Sequence, residues 1–327
     1  METPQRNLAL DLVRTTEAAA LASARWLGRG EKKAGDRAAV EAMRLSFAAL
    51  DINATVKIGE GEKDQSPMLF NGEALGTGKG PAVELAVDPV EGTNLLAYGR
   101  PNAISVVGAA PAGSMFDPGT SYYMEKLVVP AEARDVIDLD APVADNLSQI
   151  ADALEKDVED LVVFVLDKPR HKELVQQIRN AGARIQLHSD GDVAGALMAV
   201  DPESEIDVMI GTGGTPEGVL TACAIRAIGG EMLCRLDPQK DYEKAALAEA
   251  GTDLSRIYTA SHLVSSEDVF FAATGISGGT FLPGVRYSGS GAETHSLVIR
   301  GKTGTLRYIH SRHNWEKLMR FSAVKYD

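Results

Sequence analysis

The sequence predicts an α/β protein, and three observations carry that prediction. From about residue 156 short apolar runs alternate with stretches of helical periodicity. The run Leu161 to Leu166 is apolar almost throughout, as a parallel strand buried on both faces requires. Each run opens into a polar, glycine-bearing loop, and parallel strands feeding helices through such loops place ligands at the strands' carboxyl ends.

Taken in order, residues 7–27 have helical spacing, with Leu8, Leu12, Ala19 and Leu21 among the apolar positions, and Gly28-Arg29-Gly30 stops the helix. Residues 37–50 form a second amphipathic helix on the stripe Ala39, Met43, Phe47 and Leu50, with Asp36 just ahead as its N-cap. Thr55 to Ile58 is a strand that runs into Gly59-Glu60-Gly61-Glu62, and Ala82 to Val87 is a strand that ends in Asp88-Pro89-Val90-Glu91-Gly92-Thr93-Asn94. A further strand covers Ile104 to Val107. Beyond Leu161–Leu166, the pattern gives a helix over 169–180, a strand over 183–187 and a helix over 193–200. A strand over 206–210 then precedes a glycine-rich loop, Gly211 to Glu217, and a helix to Ile228. Residues 235–265 read as helical and charged, and the last 60 residues as strands. A soft boundary near 155 separates an N-terminal α/β domain, 1–155, from a C-terminal α/β domain, 156–327, with the last strands free to pack on either.

Composition narrows the classes. An apolar fraction of 44% and a charged fraction of 24% over 327 residues are those of a globular protein. Acidic residues outnumber basic ones, 46 to 33, for a net charge of −13, which argues against nucleic acid or an anionic membrane as partner. No segment approaches the roughly 18 consecutive apolar residues of a membrane span, and Met1 to Arg6 lack a signal-peptide pattern. The two cysteines, Cys223 and Cys234, sit in apolar segments and make no disulfide framework. A cytoplasmic location follows as the expectation.

The 88–94 heptad carries the chemistry. Pro89 has a fixed φ and Gly92 lets the backbone fold back, so two carboxylates and the Thr93 hydroxyl can converge as hard oxygen donors for Mg²⁺ or Mn²⁺. A plain polar turn uses the same residue types. Glu60, directly after a strand and flanked by glycines, repeats the design, and Asp36 can cap a helix and still offer one oxygen to a metal. Lys168-Pro169-Arg170-His171 follows a buried strand and opens a helix; cations there oppose the macrodipole, which favours a phosphate site over a purely structural account. Ser189-Asp190-Gly191-Asp192 can cap a helix or hold sugar hydroxyls. No Gly-Lys-Ser/Thr of a Walker A loop follows Gly211 to Glu217, no G-x-S-x-G is present, and His310 and His313 do not have zinc-ligand spacing.

Trp26-Leu27-Gly28-Arg29-Gly30, Ile58 to Glu62, Asp88 to Thr93, Tyr123-Met124-Glu125-Lys126, Lys168 to His171, Asp190 to Asp192 and Pro216-Glu217-Gly218 occur in one order along nearly the whole chain. Together they resemble the class II, or GlpX-type, fructose-1,6-bisphosphatases of the lithium-sensitive sugar and inositol phosphatase superfamily. The resemblance implies a layered α-β-α-β-α sandwich and hydrolysis of the 1-phosphate of fructose 1,6-bisphosphate, in gluconeogenesis or carbon fixation. It implies metal ligation, by Mg²⁺ or Mn²⁺, through Asp36, Glu60, Asp88, Glu91 and Glu217. Substrate contacts are implied at Glu91, Gly92, Thr93, Tyr123, Lys168, Pro169, Arg170, Asp190, Gly191, Asp192 and Gly214. Thr93, oriented by Asp36, would position the attacking water, and Lys32, which has Lys33 as a rival, would stand by the reacting phosphate. The partner is then a small sugar bisphosphate, and a homodimer or homotetramer is implied. A dual fructose/sedoheptulose bisphosphatase, an inositol monophosphatase-like enzyme and a non-catalytic sugar-phosphate sensor are the alternatives.

Overall fold

A computed structural model describes residues 7–61, 68–320, 322 and 324–326. Glu62 and the Met1 to Arg6 segment lie outside the described residues. The elements are α1 (Ala9–Ser23), α2 (Lys32–Phe47), β1 (Asn53–Ile58), β2 (Ala74–Leu75), β3 (Ala82–Glu91), α3 (Thr93–Tyr98) and β4 (Ile104–Pro111). They continue with β5 (Tyr123–Val129), α4 (Val143–Ala153), β6 (Val162–Leu166), α5 (Lys172–Ala181), β7 (Arg184–His188), α6 (Asp192–Val200), β8 (Val208–Gly214) and α7 (Thr215–Ile228). Next come β9 (Glu231–Leu236), α8 (Asp241–Glu249), β10 (Tyr258–Thr259) and α9 (Ala260–Leu263). The chain closes with β11 (Phe270–Gly275), β12 (Arg286–Ser288), β13 (Gly291–Arg300), β14 (Thr305–Asn314) and α10 (Trp315–Leu318).

The α/β class is as expected. The chain forms two compact units, the first from residues 1–114 and 266–327, the second from 115–265. The expected boundary near 155 falls inside the second unit, and the C-terminal strands belong to the first.

The first unit is built on a sheet of order β12-β13-β11-β4-β3-β1-β2, with β14 on β13. Only β1 and β3 run parallel; the other pairs are antiparallel. α1 and α2 lie against it, and Leu12, Met43 and Phe47 from the helices share a core with Val83, Leu85, Val87, Val107 and Ala272 from the strands. Those strand positions alternate, as one buried face of a pleated sheet requires. At about 25 cal/mol per Å² of apolar surface removed from water, a buried Phe47 or Leu12 contributes about 1.5–3 kcal/mol.

The second unit has the sheet order β10-β9-β5-β8-β6-β7, with β6 parallel to both β7 and β8. Val163 and Val165 of β6 meet Leu147 and Ile150 of α4 and Ile178 of α5 on one face. Phe164 points the other way, so close to α6 that a Cβ on Gly195 would lie 2.4 Å from its ring. Leu161–Leu166 is thus a strand covered on both sides, which is why it is apolar without alternation.

Three expectations are corrected. α2 starts at Lys32, so Asp36 lies inside the helix and is not its N-cap. The glycines at 211, 213 and 214 are strand residues of β8, and α7 begins directly at Thr215. Residues 235–265 are not one helical stretch: β9 runs to Leu236 and β10 lies between α8 and α9.

Candidate active site

In the first unit the site is assembled by an irregularity in β3. Asp88 stands opposite Val106 and Glu91 opposite Ile104, so three steps on β3 match two on β4. One extra residue in a strand is a bulge. Without it, residues 88 and 91 would point to opposite faces, because side chains alternate along a strand. With it, their carboxylate oxygens come within 4.8 Å of one another. The strand therefore continues through Glu91, four residues beyond the expected end at Val87. Pro89, which has no N–H to give the ladder, is tolerated at such a position. The Val90 N–H donates to Asp88 Oδ1 at 3.0 Å, which fixes the aspartate. Gly92 then turns the chain with φ +85° and ψ 53°, and Thr93 opens α3.

β1 is parallel to β3, and the pairing of Ile58 with Ala86 brings the carboxyl ends of both strands to one end of the sheet. Glu60 follows there, its N–H donating to Leu69 O at 2.8 Å, while the Gly59 N–H donates to Asn71 Oδ1 at 3.0 Å. The loop before α2 is held to α3: the Gly28 and Gly30 N–H groups donate to the carbonyls of Leu96 and Ala97, both at 2.9 Å. Lys32 Nζ then reaches Asn94 Oδ1 at 3.1 Å. Of the two lysine candidates, Lys32 is the one that reaches the 88–94 segment. Asp36 is half-buried, and that desolvation raises its pKa, opposed in part by the charge of Lys32.

Like charges this close favour a cation between them, and a buried carboxylate such as Glu91, 4% exposed, is costly without compensation. An all-carboxylate oxygen set suits a hard divalent ion and not a soft one.

In the second unit, Tyr123 opens β5 and Arg170 lies in the short 3₁₀ turn after β6. The guanidinium sits 5.3 Å from the centre of the Tyr123 ring and donates to the Thr212 carbonyl from Nε (3.0 Å) and Nη2 (2.6 Å). Tyr123 and Arg170 are thus brought together; Lys168 is half-buried and Pro169 exposed beside them. His171 fixes this turn: its Nδ1–H donates to Leu166 O at 2.7 Å and its Nε2 accepts from the Thr212 N–H at 2.8 Å. That arrangement needs the neutral ring, and burial lowers the His171 pKa accordingly. The buried Glu243 carboxylate accepts from the N–H groups of Tyr122 (2.7 Å) and Tyr123 (3.0 Å) and so anchors the start of β5.

Asp190 is half-buried, Gly191 has φ +92°, and Asp192 is the first residue of α6. Asp192 Oδ2 accepts from the buried Lys126 Nζ at 2.7 Å. Gly214 precedes α7, and a Cβ there would lie 1.7 Å from Glu217 Oε2, so the glutamate folds back over it. Sequence reasoning missed Asn94, Lys126, His171, Thr212 and Glu243. Asn94, Lys126, His171 and Thr212 lie within quoted stretches, which is the signal they had; Glu243 is recognisable by its hydrogen bonds alone.

A sequence model of the family described as bacterial fructose-1,6-bisphosphatase, glpX-encoded, matches residues 6–313. The fructose-1,6-bisphosphatase class 2 of Haemophilus influenzae is 43% identical over 98% of this chain and 99% of its own length. The fructose-1,6-bisphosphatase 1 class 2 of Escherichia coli K12 is 42% identical over 94% of this chain and 96% of its own length. With that match spanning the bulged acidic strand, the Lys168–His171 turn and the sheets that carry them, the chain belongs to the glpX-encoded bacterial fructose-1,6-bisphosphatase family.

Proposed function

We propose that this protein hydrolyses the 1-phosphate of fructose 1,6-bisphosphate to give fructose 6-phosphate and phosphate. The observation that carries the reading is the β3 bulge, which brings the carboxylates of Asp88 and Glu91 together two residues before Thr93, in a chain of this family. Asp36, Glu60, Asp88, Glu91 and Glu217 are the proposed metal ligands, and Mg²⁺ or Mn²⁺ is the proposed ion. When bound, the ion supplies positive charge at the reacting phosphoryl group. Thr93 Oγ1, oriented by Asp36, positions the attacking water, and Lys32 balances charge on the phosphoryl oxygens. Lys168, Arg170 and Tyr123, with Pro169, grip the remote phosphate, and Asp190, Gly191, Asp192 and Gly214 face the sugar. Gly92 and Glu91 border the reacting end.

A role in gluconeogenesis, a cytoplasmic location and a homodimer or homotetramer belong to the same proposal. Among the described residues no helix is long and apolar enough to cross a membrane. The test is phosphate release from fructose 1,6-bisphosphate with Mg²⁺ or Mn²⁺, with and without a chelator. Turnover that stops on chelation and returns with the metal is expected; turnover indifferent to the chelator overturns the mechanism.

A further inference from the structure

We propose that Lys126 is a positioning residue for sugar recognition, acting through Asp192. The inference rests on the reading of Asp190–Asp192 as the turn that faces the sugar. Lys126 lies on β5, three residues past Tyr123, with its side chain 1% exposed; the Asp192 side chain is 8% exposed. The Nζ–Oδ2 bond of 2.7 Å occupies one carboxylate oxygen. Among the described residues, none donates a hydrogen bond to Oδ1, which leaves that oxygen to accept from a sugar hydroxyl.

The surrounding sequence has made room for this pair. A Cβ on Gly213 would lie 2.0 Å from Asp192 Oδ2 and 3.3 Å from Lys126 Nζ. A Cβ on Gly218 would lie 3.3 Å from Lys126 Cε and 2.3 Å from Met124 Sδ. Neither glycine has a positive φ, so space and not backbone conformation explains them. A buried ion pair is a poor device for stability, since apolar replacements of similar volume often hold a fold as well or better. A lysine drawn out of water to meet one carboxylate, between two glycines, is therefore explained by what the carboxylate does. Lys126 fixes the direction of the Asp192 carboxylate, which meets the substrate without first losing rotamer freedom.

The experiment compares fructose 1,6-bisphosphate with 4-nitrophenyl phosphate, which offers a phosphate ester and no sugar hydroxyls, at saturating Mg²⁺ or Mn²⁺. Lys126→Met should raise KM for the bisphosphate about tenfold or more, the worth of one charge-assisted hydrogen bond, with kcat kept within about twofold. Turnover of 4-nitrophenyl phosphate should stay within about twofold of wild type on the same reasoning. Lys126→Met combined with Asp192→Asn should be no worse in KM than Asp192→Asn alone, because the two act as one unit. Gly213→Ala, which removes no charge and presses on Oδ2, should reproduce the KM effect, and it decides the matter if Lys126→Met does not fold. An unchanged KM in Lys126→Met or in Gly213→Ala, equal loss with both substrates, or additive effects in the double variant would overturn the role. A wild-type enzyme that cleaves 4-nitrophenyl phosphate and not the bisphosphate overturns the functional reading itself, and this role with it.

Discussion

At the scale of single residues, the proposed site separates bond breaking from substrate grip, and the two should respond differently to truncation. Thr93→Ala removes the hydroxyl proposed to orient the attacking water and should lower kcat about 100-fold while KM moves by no more than about threefold. Lys168→Ala removes a cation from the turn that holds Arg170 and should raise KM for the bisphosphate about tenfold or more, with a smaller effect on kcat. Steady-state kinetics on both variants check the split, and a reversed pattern would exchange the assignments. His171 gives a residue-level dependence on pH. Its folded-state pKa is lowered by burial, so below an unfolded-state value of 6.5 the unfolded chain binds a proton that the folded chain refuses. Its contribution is complete above pH 6.5 and is lost progressively as pH falls from there through the lowered folded-state pKa. His188, His295 and His313 are shifted in the same direction. Thermal melts between pH 8 and 5.5 should show Tm falling on the acid side, and His171→Gln should flatten part of that slope; an unchanged slope would dissociate His171 from it.

At the scale of elements, the decisive device is the bulge in β3 followed by the left-handed Gly92. A Cβ at Gly92 would lie 2.8 Å from Leu95 Cδ1, in a backbone conformation that side chains disfavour. Gly92→Ala should therefore cost about 1–2 kcal/mol of stability, read as a lower Tm, and should lower kcat by shifting Thr93 against Glu91. A variant with wild-type Tm and kcat would remove Gly92 from that role. The residue types of this segment and the strand before it were legible in the sequence, because alternation up to Val87 and the oxygen-bearing residues after it are local signals. The bulge was not legible, since it is defined only by the register against β4, a partner strand that no local pattern specifies. Asp36 was misplaced for a related reason: Lys32 and Lys33 at a helix start oppose the macrodipole and Gly35 is a weak helix former, so local preference moves the start later. Tertiary packing decides otherwise, with Gly35 so tight against α3 that a Cβ would meet Leu96 Cδ2 at 2.7 Å. The Lys126–Asp192 pair joins residues 66 positions apart and leaves no local trace.

At the scale of the whole chain, the first unit is discontinuous and the second is not. β4 pairs with β11 from Phe270 opposite Ala109 to Gly275 opposite Ile104, across the entire second unit. Such pairing forms late, because loop closure over that separation precedes any gain from it. The ends of the second unit meet within it: Met115 bridges Val264, and the Phe116 N–H donates to Leu263 O at 2.8 Å. A fragment of residues 115–265 should therefore show native-like circular dichroism and one cooperative thermal transition, whereas residues 1–114 alone, lacking β11, should not. The opposite outcome would mean that the second unit depends on the first for its fold.

That closed end also bears on how the family can diversify. β4 and β11 have the antiparallel register of a hairpin whose turn has been replaced by a folded cassette. Tyr123, Lys168, Arg170, Asp192 and Gly214 all travel inside the cassette, whereas Asp36, Glu60, Asp88, Glu91 and Thr93 stay in the host. The proposed substrate grip and the proposed phosphoester chemistry thus lie on separate stretches of chain, with Glu217 the one proposed ligand carried by the insert. On that proposal, substitutions confined to the cassette change which sugar is presented while the acidic strand is left as it was.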